Sequence, residues 1–402
     1  MTTRVFTNAH LFDGATAETR SGSWLAVDTE TGKIVDLGQG TAPTGDETVD
    51  LGDGFIMPGL INVHTHTMMN AINNKVSLLT EAEVTVNSLT NLRRLLQTGV
   101  TYVRECGSAF SVDTKLRALQ LTGTLGYPAP GIVPSGRPMS ITGGHGDFLM
   151  GARAETTWGH LVDSPDEMRQ AVREEFRAGA RNIKLMATGG VMSEADEIDD
   201  TELTVEEMRV AVEESHAKSR TVCAHAEGAE GIHNAIVAGV DSIEHGSLIT
   251  DEDAELMKRN GQYLTPTLIA AWGIKEYGAG RIPEYMMRKT EAFVDDYFEH
   301  IGRAARIGVK ISFGTDAGTP FNDFTDTPFE LQLYTQVGIS NEDALFAAGR
   351  NSAELLHIDD EYGTLEPGKY ADFLVLDADP LADVAAVAQT DKQVYQHGER
   401  VF

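Results

Sequence analysis

Residues 57–66, which read MPGLINVHTH, mark the point where the sequence changes character. Before Gly59, short alternating segments are broken by Gly, Asp and Thr, a pattern typical of a small antiparallel β unit. After Gly59, short apolar segments rich in β-branched residues alternate with longer segments of helical periodicity. This alternation predicts βα units and a parallel sheet.

Eight short apolar segments after Gly59 have the length and composition of buried strands. They are residues 61–66, 100–106, 132–136, 183–187, 222–226, 242–245, 263–267 and 311–316. Helix-capping signals stand between several of them, with Ser164 before a proline and two acids, and Thr204 three residues before Glu207. The expected fold class is therefore α/β, a (β/α)8 TIM barrel.

The two ends of the chain both have strand-like sequence. At the carboxyl end, a turn-rich segment precedes the short apolar run at residues 373–376. We expect the N- and C-terminal segments to pack together as one small β-sandwich beside the barrel. The expected division is residues 1–56 for the N-terminal part of the sandwich, 57–358 for the barrel and 359–402 for the C-terminal part.

Composition narrows the classes of partner. The 402 residues include 32 basic and 61 acidic ones, a formal net charge of −29. This acidic excess argues against binding of nucleic acid or of an anionic membrane surface. Two cysteines are too few for a disulfide framework, and the N-terminus lacks the apolar core of a signal peptide, so we expect a cytoplasmic protein. A homo-oligomer is compatible with the sequence.

His64 and His66 close the first predicted strand. Alternate side chains of a strand face the same way, so both imidazoles would point into the mouth of the barrel and could chelate one metal ion. Further residues of metal-site type stand at later strand ends, where the carboxyl ends of barrel strands converge. They are Lys184, His225, His245 and Asp316.

Together these motifs resemble the amidohydrolase superfamily, in the branch that includes imidazolonepropionase-related proteins and prolidase-like Xaa-Pro dipeptidases. The similar stretches run through nearly the whole chain. They are MPGLINVHTH at 57–66, IK at 183–184, AHA at 224–226, IEHG at 243–246, GTDAG at 314–318, GKYADF at 368–373 and DPL at 379–381.

The resemblance implies a site for two divalent metal ions, with zinc as the first expectation and manganese, iron or cobalt also suited to the ligands. His64 and His66 would hold one ion together with Asp316, and His225 and His245 would hold the other. An ammonium cannot ligate a metal, so Lys184 would bridge the ions as a CO2-derived carbamate. The alternative for this lysine is an ion pair with a neighbouring acid.

The resemblance also implies a metal-dependent amidohydrolase that cleaves an amide or peptide-like C–N bond of a small molecule through a metal-bridging hydroxide. The dipeptidase or prolidase-like subclass is the first expectation. Asp316 would take the proton of the attacking hydroxide and deliver it to the leaving amine, unless it is only a structural ligand. The alternatives are action of the same site on an ester, lactone, carbamate, urea or organophosphate, and a non-catalytic binding relative.

The loop TGGHGD at 142–147 follows the third strand and contains Gly144 and His145. A glycine permits close approach of the backbone to a ligand, and His145 would hydrogen-bond the carbonyl oxygen of the substrate as charge develops on it. The alternative is a flexible turn with an exposed histidine.

Glu227 lies in a segment that departs from the prolidase-like pattern. Those relatives carry Tyr and Arg here to hold a substrate carboxylate, whereas this chain reads AEGAEG at 226–231. We therefore hypothesise a neutral substrate, or one with an amino group near Glu227, unless Arg153, Arg281 or His145 compensates the negative charge.

The loop after the fourth predicted strand adds three acids, Glu194, Asp196 and Glu197, near the expected mouth. They would make that side electronegative, or else form a solvated acidic loop that points away from the site. Trp272 and Tyr277 would wall an apolar pocket or serve only as packing.

Overall fold

The structure is a computed structural model and describes residues 2–71 and 78–402. In chain order, its strands are β1 (Thr3–Phe12), β2 (Thr19–Asp28), β3 (Lys33–Gln39), β4 (Glu47–Pro58), β5 (Leu60–Thr65), β6 (Val100–Glu105), β7 (Gly131–Val133), β8 (Met139–Ser140), β9 (Leu149–Met150), β10 (Thr156–Thr157), β11 (His160–Leu161), β12 (Asn182–Met186), β13 (Thr221–Ala226), β14 (Ser242–His245), β15 (Tyr263–Thr265), β16 (Lys310–Ile311), β17 (Phe373–Leu376), β18 (Gln393–Gln396) and β19 (Glu399–Arg400). The helices are α1 (Glu81–Gln97), α2 (Val112–Leu121), α3 (Pro165–Ala178), α4 (Val205–His216), α5 (Ala229–Ala238), α6 (Asp251–Asn260), α7 (Leu268–Tyr277), α8 (Glu284–Ile307), α9 (Phe329–Gln336), α10 (Asn341–Phe346) and α11 (Ser352–Leu355).

Strands from both ends of the chain form one seven-stranded sheet in the order β19-β18-β17-β4-β1-β2-β3. The junction is the antiparallel pairing of β4 with β17, in which Phe373 lies opposite Pro58. Apolar side chains from both ends pack on this sheet, with the rings of Phe373 and Tyr395 stacked at 4.4 Å and Phe6 edge-on to Phe373 at 5.0 Å. The chain ends therefore share a sheet and an apolar cluster.

All eight predicted barrel segments contain a strand, and every ladder among these strands is parallel. One sheet has the order β5-β6-β7, and the other has the order β11-β8-β12-β13-β14-β15-β16. The parallel strands alternate with helices, which confirms the α/β class. The backbone also links the first and last segments, because the Val63 amide donates to the Phe313 carbonyl at 2.8 Å and the Asp316 amide donates to the His64 carbonyl at 2.9 Å.

Three strands, β7, β15 and β16, end two or more residues before the sequence indicated, and β15 stops at Thr265, before Pro266. β7 ends at Val133 because Pro134 has no amide hydrogen for a ladder, and the amides of Ser135 and Gly136 donate to the Asp113 carboxylate instead. β16 ends at Ile311 rather than at residue 316.

The eighth segment leaves the ladder because its backbone has other partners. The Phe313 amide donates to the Ser352 hydroxyl at 3.0 Å, and Asp316 has a left-handed φ of 56° that a strand does not allow. Asp316 thus lies in a turn beyond the strand.

Both predicted helix starts are confirmed. The Ser164 hydroxyl accepts from the Glu167 amide at the start of α3, and Thr204 and Glu207 form a reciprocal capping box at the start of α4. Within residues 2–71 and 78–402, every helix is either too short or too polar to span a membrane.

Candidate metal centre and substrate pocket

A cavity of about 750 Å³, its open mouth included, lies where the carboxyl ends of the parallel strands meet. Eight of the residues proposed from the sequence line it: His64, His66, His145, Lys184, His225, Glu227, His245 and Asp316. Gly144 lies just outside this lining. A side-chain carbon there would stand 2.5 Å from the Glu202 carboxylate, so the absence of a side chain lets that acid pack beneath the loop.

The side chains of His64, His66 and Asp316 bring their potential metal-binding atoms within 4.8 Å of one another. Asp316 Oδ1 lies 3.4 Å from His64 Nε2 and 3.3 Å from His66 Nε2. His64 Nε2 is buried and has no hydrogen-bond partner among residues 2–71 and 78–402, although the ring is held at its other nitrogen. A buried, unpartnered imidazole nitrogen beside a carboxylate suits a divalent cation.

An ion pair beneath the cavity orients His64. Glu244 Oε2 lies 2.7 Å from His64 Nδ1, and Glu244 Oε1 accepts from Arg104 Nη2 at 2.6 Å. Arg104 Nε also donates to the Val63 carbonyl at 2.6 Å, and both charged side chains are fully buried. A carboxylate behind a metal-binding histidine fixes its tautomer and ring orientation.

Arg104 and Glu244 are functional residues to which the sequence reasoning gave no role. The signal that points to them is a pair of opposite charges inside two apolar strands, TYVREC at 101–106 and SIEH at 242–245. A charge buried in a parallel sheet needs a partner, so each of these residues predicts the other.

The remaining imidazoles are also held at one ring nitrogen. His245 Nδ1 lies 2.7 Å from the Thr267 hydroxyl, His66 Nδ1 lies 3.3 Å from the Gly107 carbonyl, and His225 Nε2 lies 3.0 Å from the Gly189 carbonyl. The rings of His225 and His245 approach to 4.7 Å between centroids. Each ring therefore keeps its second nitrogen for another contact.

Burial keeps these imidazoles neutral. In the polypeptide alone, burial lowers the pKa of His66 to about 3 and lowers the pKa values of His64, His225 and His245 well below the ordinary range. Burial also raises the pKa of Asp316 to about 7, against the attraction of the Lys184 ammonium. Neutral imidazole is the form that binds metals.

Lys184 on β12 is 1% exposed and faces the cavity beside the histidines. In the described part of the chain, no carboxylate oxygen lies within 4.0 Å of its amine. The alternative of a simple ion pair with a neighbouring acid therefore finds no partner. We call His64, His66, Lys184, His225, His245 and Asp316 the histidine cluster.

His145 lies directly against the histidine cluster. Its ring stacks on that of His225 at 4.5 Å, its Nδ1 lies 3.3 Å from Asp196, and its amide donates to Glu202 at 2.7 Å. Gly190 packs over both rings, since a side-chain carbon there would stand 2.5 Å from His145. The loop after β12 thus fixes His145 in place, so the segment that carries His145 is not an exposed turn.

Another part of the cavity lining is apolar. Its residues come from the loop after β12, from one face of α7 and from α8. We call them the apolar wall: Val191, Met192, Ala270, Ala271, Ile274 and Phe293.

Trp272 and Tyr277 do not belong to this lining. Trp272 is two residues from Ile274 and so lies on the other face of α7, where its ring packs on Phe329 at 4.7 Å and on Tyr277 at 5.6 Å. These residues line a separate groove that includes Phe321.

The charged residues near the mouth are largely turned away from the cavity. Arg153 and Glu194 are exposed and outside the lining, and Arg281 stacks on the ring of Phe321 at 4.4 Å. Glu197 pairs with Arg288 at the surface. Asp196 is buried under the loop, so the acidic loop does not face the substrate space as a whole.

Known proteins resemble this chain over most of its length. A sequence profile described as "Amidohydrolase family" matches residues 55–401. An ochratoxinase from Aspergillus niger is 34% identical over 278 residues, which are 63% of this chain and 56% of that protein, so the match spans a little over half of the relative.

Solved structures are similar across the whole chain. A Xaa-Pro dipeptidase with methionine bound in its active site has a TM-score of 0.90 and 28% identity, covering 99% of both chains. A putative prolidase from Bifidobacterium longum has a TM-score of 0.86 and 30% identity, covering 100% of this chain and 95% of its own.

Proposed function

The chain belongs to the amidohydrolase family, and we propose that it is a metal-dependent hydrolase of an amide or peptide-like C–N bond in a small molecule. The observation that carries this proposal is the convergence on one cavity of four imidazoles, a lysine amine and a carboxylate, which come from β5, β12, β13 and β14 and from the segments that follow β5 and β16. Structural similarity to a Xaa-Pro dipeptidase and a prolidase supports a dipeptidase-like or prolidase-like enzyme.

The histidine cluster fits two divalent ions. His64, His66 and Asp316 would hold one, His225 and His245 would hold the other, and Lys184 would join them as a carbamate. Zinc suits these nitrogen and oxygen ligands best, and manganese, iron or cobalt would also fit. When bound, such ions supply a Lewis acid and lower the pKa of water.

The protein side chains would then position the substrate and move protons. Asp316 Oδ1 would accept a proton from the attacking water and pass it to the leaving amine nitrogen. His145, held by Asp196 and by its stacking on His225, would donate a hydrogen bond to the carbonyl oxygen as negative charge develops there. Cleavage would thereby leave a carboxylic acid and an amine.

Glu227 would contact the amino group of an amine-bearing substrate. Its carboxyl group is buried at the cavity edge, and the Ser247 hydroxyl donates to it at 3.3 Å. With a neutral substrate, this carboxyl group would keep Ser247 and His225, whose Nε2 lies 3.7 Å from Glu227 Oε1, as neighbours.

The proposal also covers how the barrel closes and how the chain divides into domains. We infer that the two parallel sheets close into one eight-stranded barrel, supported by the backbone hydrogen bonds between β5 and residues 313–317. Residues 57–358 would form this barrel, while residues 1–56 and 359–402 would form the accompanying sandwich.

The test is a substrate screen on protein produced with zinc and bicarbonate. Dipeptides, dipeptide amides and N-acyl amines form one arm, and esters, lactones, carbamates, ureas and organophosphates form the other. We expect turnover of C–N substrates that is lost in Lys184→Ala and Asp316→Asn. Turnover confined to the second arm would establish the alternative bond, and less than one equivalent of bound metal would establish a non-catalytic relative.

A further inference from the structure

The apolar wall presents hydrocarbon to the space beside the histidine cluster. Ala270, Ala271 and Ile274 lie on one face of α7, and Phe293 on α8 is 4% exposed. Val191 and Met192 complete the wall from the loop after β12 and are half-buried. A surface of this kind gains free energy by contact with an apolar group in proportion to the area removed from water.

A cationic side chain lies close to the apolar wall, but its ammonium already binds protein oxygens. Lys289 lies one helical turn before Phe293 on α8 and is 1% exposed. Its ammonium donates to the carbonyls of Gly190 (2.9 Å), Ser193 (2.7 Å) and Asp196, and to the Asp196 carboxylate at 3.1 Å. It ties the loop after β12 to α8 and has no donor left for a ligand.

The neighbouring arginines point elsewhere. Arg288 pairs with Glu197 at 2.5 Å on the surface, and Arg281 lies over Phe321. In the lining formed by residues 2–71 and 78–402, the cationic side chain apart from the imidazoles is Lys184, which belongs to the histidine cluster. A substrate carboxylate at the apolar wall would lose its hydration without gaining a partner.

From this combination we propose that the apolar wall binds a bulky, uncharged aromatic or branched aliphatic group of the substrate. The inference rests on the proposed amide hydrolysis and narrows its substrate class. The enzyme cleaves amides in which this group carries no free carboxylate, and it discriminates against the matching amides that carry one. The enzyme thus cleaves a C–N bond as a prolidase does, but it recognises an uncharged group rather than a free carboxylate.

Two matched pairs of amides test this, because the bulky group is placed on either side of the bond. N-acetylphenethylamine is compared with N-acetylphenylalanine, and N-methyl-3-phenylpropanamide is compared with its 2-carboxy derivative. In at least one pair we expect kcat/KM to favour the carboxylate-free amide by tenfold or more, about the discrimination expected when a charge enters an apolar site without a partner. Equal values, or a preference for the carboxylate in both pairs, would overturn the proposal.

Variants in the apolar wall sharpen the result. Ile274→Arg supplies the missing cation and should shift the preference toward the carboxylate by about tenfold. Phe293→Ala should lower kcat/KM for the phenyl amides about 10- to 100-fold. Trp272→Phe, on the opposite face of α7, is the matched control. It should change neither the preference between the two amides of a pair nor kcat/KM for the phenyl amides.

Binding without turnover separates this inference from the proposed function. Ketone analogues of the four compounds, with a methylene in place of the amide nitrogen, are titrated calorimetrically into the metal-loaded protein. Tighter binding of the carboxylate-free analogues, weakened by Phe293→Ala, would uphold the apolar wall even if no amide were cleaved. Amide cleavage with no such difference in binding or kcat/KM would uphold the function and refute the inference.

Discussion

The histidine cluster and the apolar wall line the same cavity, yet they are held in different ways. Three cluster histidines, His64, His66 and His245, have Nδ1 within 3.3 Å of a fixed oxygen. The wall residues stand on helices and a loop and are held by packing and by Lys289. The comparison indicates that the residues proposed for the reaction stand at strand ends. The residues proposed to select the substrate stand on helices and a loop, which tolerate substitution more readily.

The largest effect is expected inside the histidine cluster. Asp316→Asn retains the shape of the side chain but cannot accept a proton from water, so kcat should fall about 10²- to 10⁴-fold for every amide. Steady-state kinetics measure this, and the metal content of the variant is determined in parallel. A variant that binds metal normally and keeps more than a tenth of the wild-type kcat would show that Asp316 carries no proton.

The next effect is expected beneath the histidine cluster. Glu244→Gln leaves the guanidinium of Arg104 buried without a counter-charge, which should cost about 3–5 kcal/mol of unfolding free energy. It should also weaken metal binding about 10- to 100-fold, because His64 loses its carboxylate partner.

Urea unfolding and metal titration measure these two changes. The control is Glu47→Gln, which weakens an exposed ion pair with Arg4 and should alter neither quantity. An unchanged metal affinity in Glu244→Gln would mean that the orientation of His64 does not depend on this acid.

A smaller effect is expected where the apolar wall is anchored. Lys289→Met removes the ammonium that binds the loop after β12 and leaves Asp196 without its cation, so the unfolding free energy should fall by about 3 kcal/mol. Arg288→Met, one residue away, breaks only the surface pair with Glu197 and should leave the melting temperature unchanged.

Thermal unfolding and limited proteolysis of residues 189–197 compare these two variants. Cleavage of the loop should become faster in Lys289→Met alone. Equal behaviour of the two variants would show that burial does not distinguish the two contacts between α8 and the loop.

The smallest effect is a pH dependence at the start of α7. The Glu330 carboxyl group accepts from the Leu268 and Ile269 amides at 2.7 Å each, and burial raises its pKa to about 8 against these hydrogen bonds. The folded protein therefore holds this proton above the ordinary glutamate pKa of 4.5. Its contribution to stability is complete below pH 4.5 and is lost as the pH rises to about 8.

Glu330→Gln removes this titration. As the pH rises from about 5 through about 8, the unfolding free energy of the wild type should fall relative to that of the variant, by at most about 1.4 kcal/mol per pH unit, and then level off. Urea unfolding at several pH values measures it, and a difference that is independent of pH would contradict the assignment.

The same contrast explains what the sequence could predict. Local motifs on strands, such as the histidine pair at residues 64 and 66, determine the direction of their side chains by alternation. The common direction of His64 and His66 was therefore predictable before any packing was known.

The apolar wall was not predictable in this way, because the face that a helix buries depends on its neighbours. Trp272 was an obvious aromatic candidate, yet α7 turns Ile274 to the cavity instead. Lys289 lies 93 residues from its partner Asp196, and no local pattern links the two. The turn at Asp316 likewise follows from contacts with Ser352 and β5 rather than from its own sequence.

Metal-dependent hydrolysis is tested most directly by turnover of N-acetylphenethylamine by protein that is stripped of metal with a chelator and then reloaded with zinc and bicarbonate. We expect stripping to abolish turnover and reloading to restore it, whereas turnover should not return in Lys184→Ala. Turnover that is unchanged by stripping, with metal absent by elemental analysis, would contradict it.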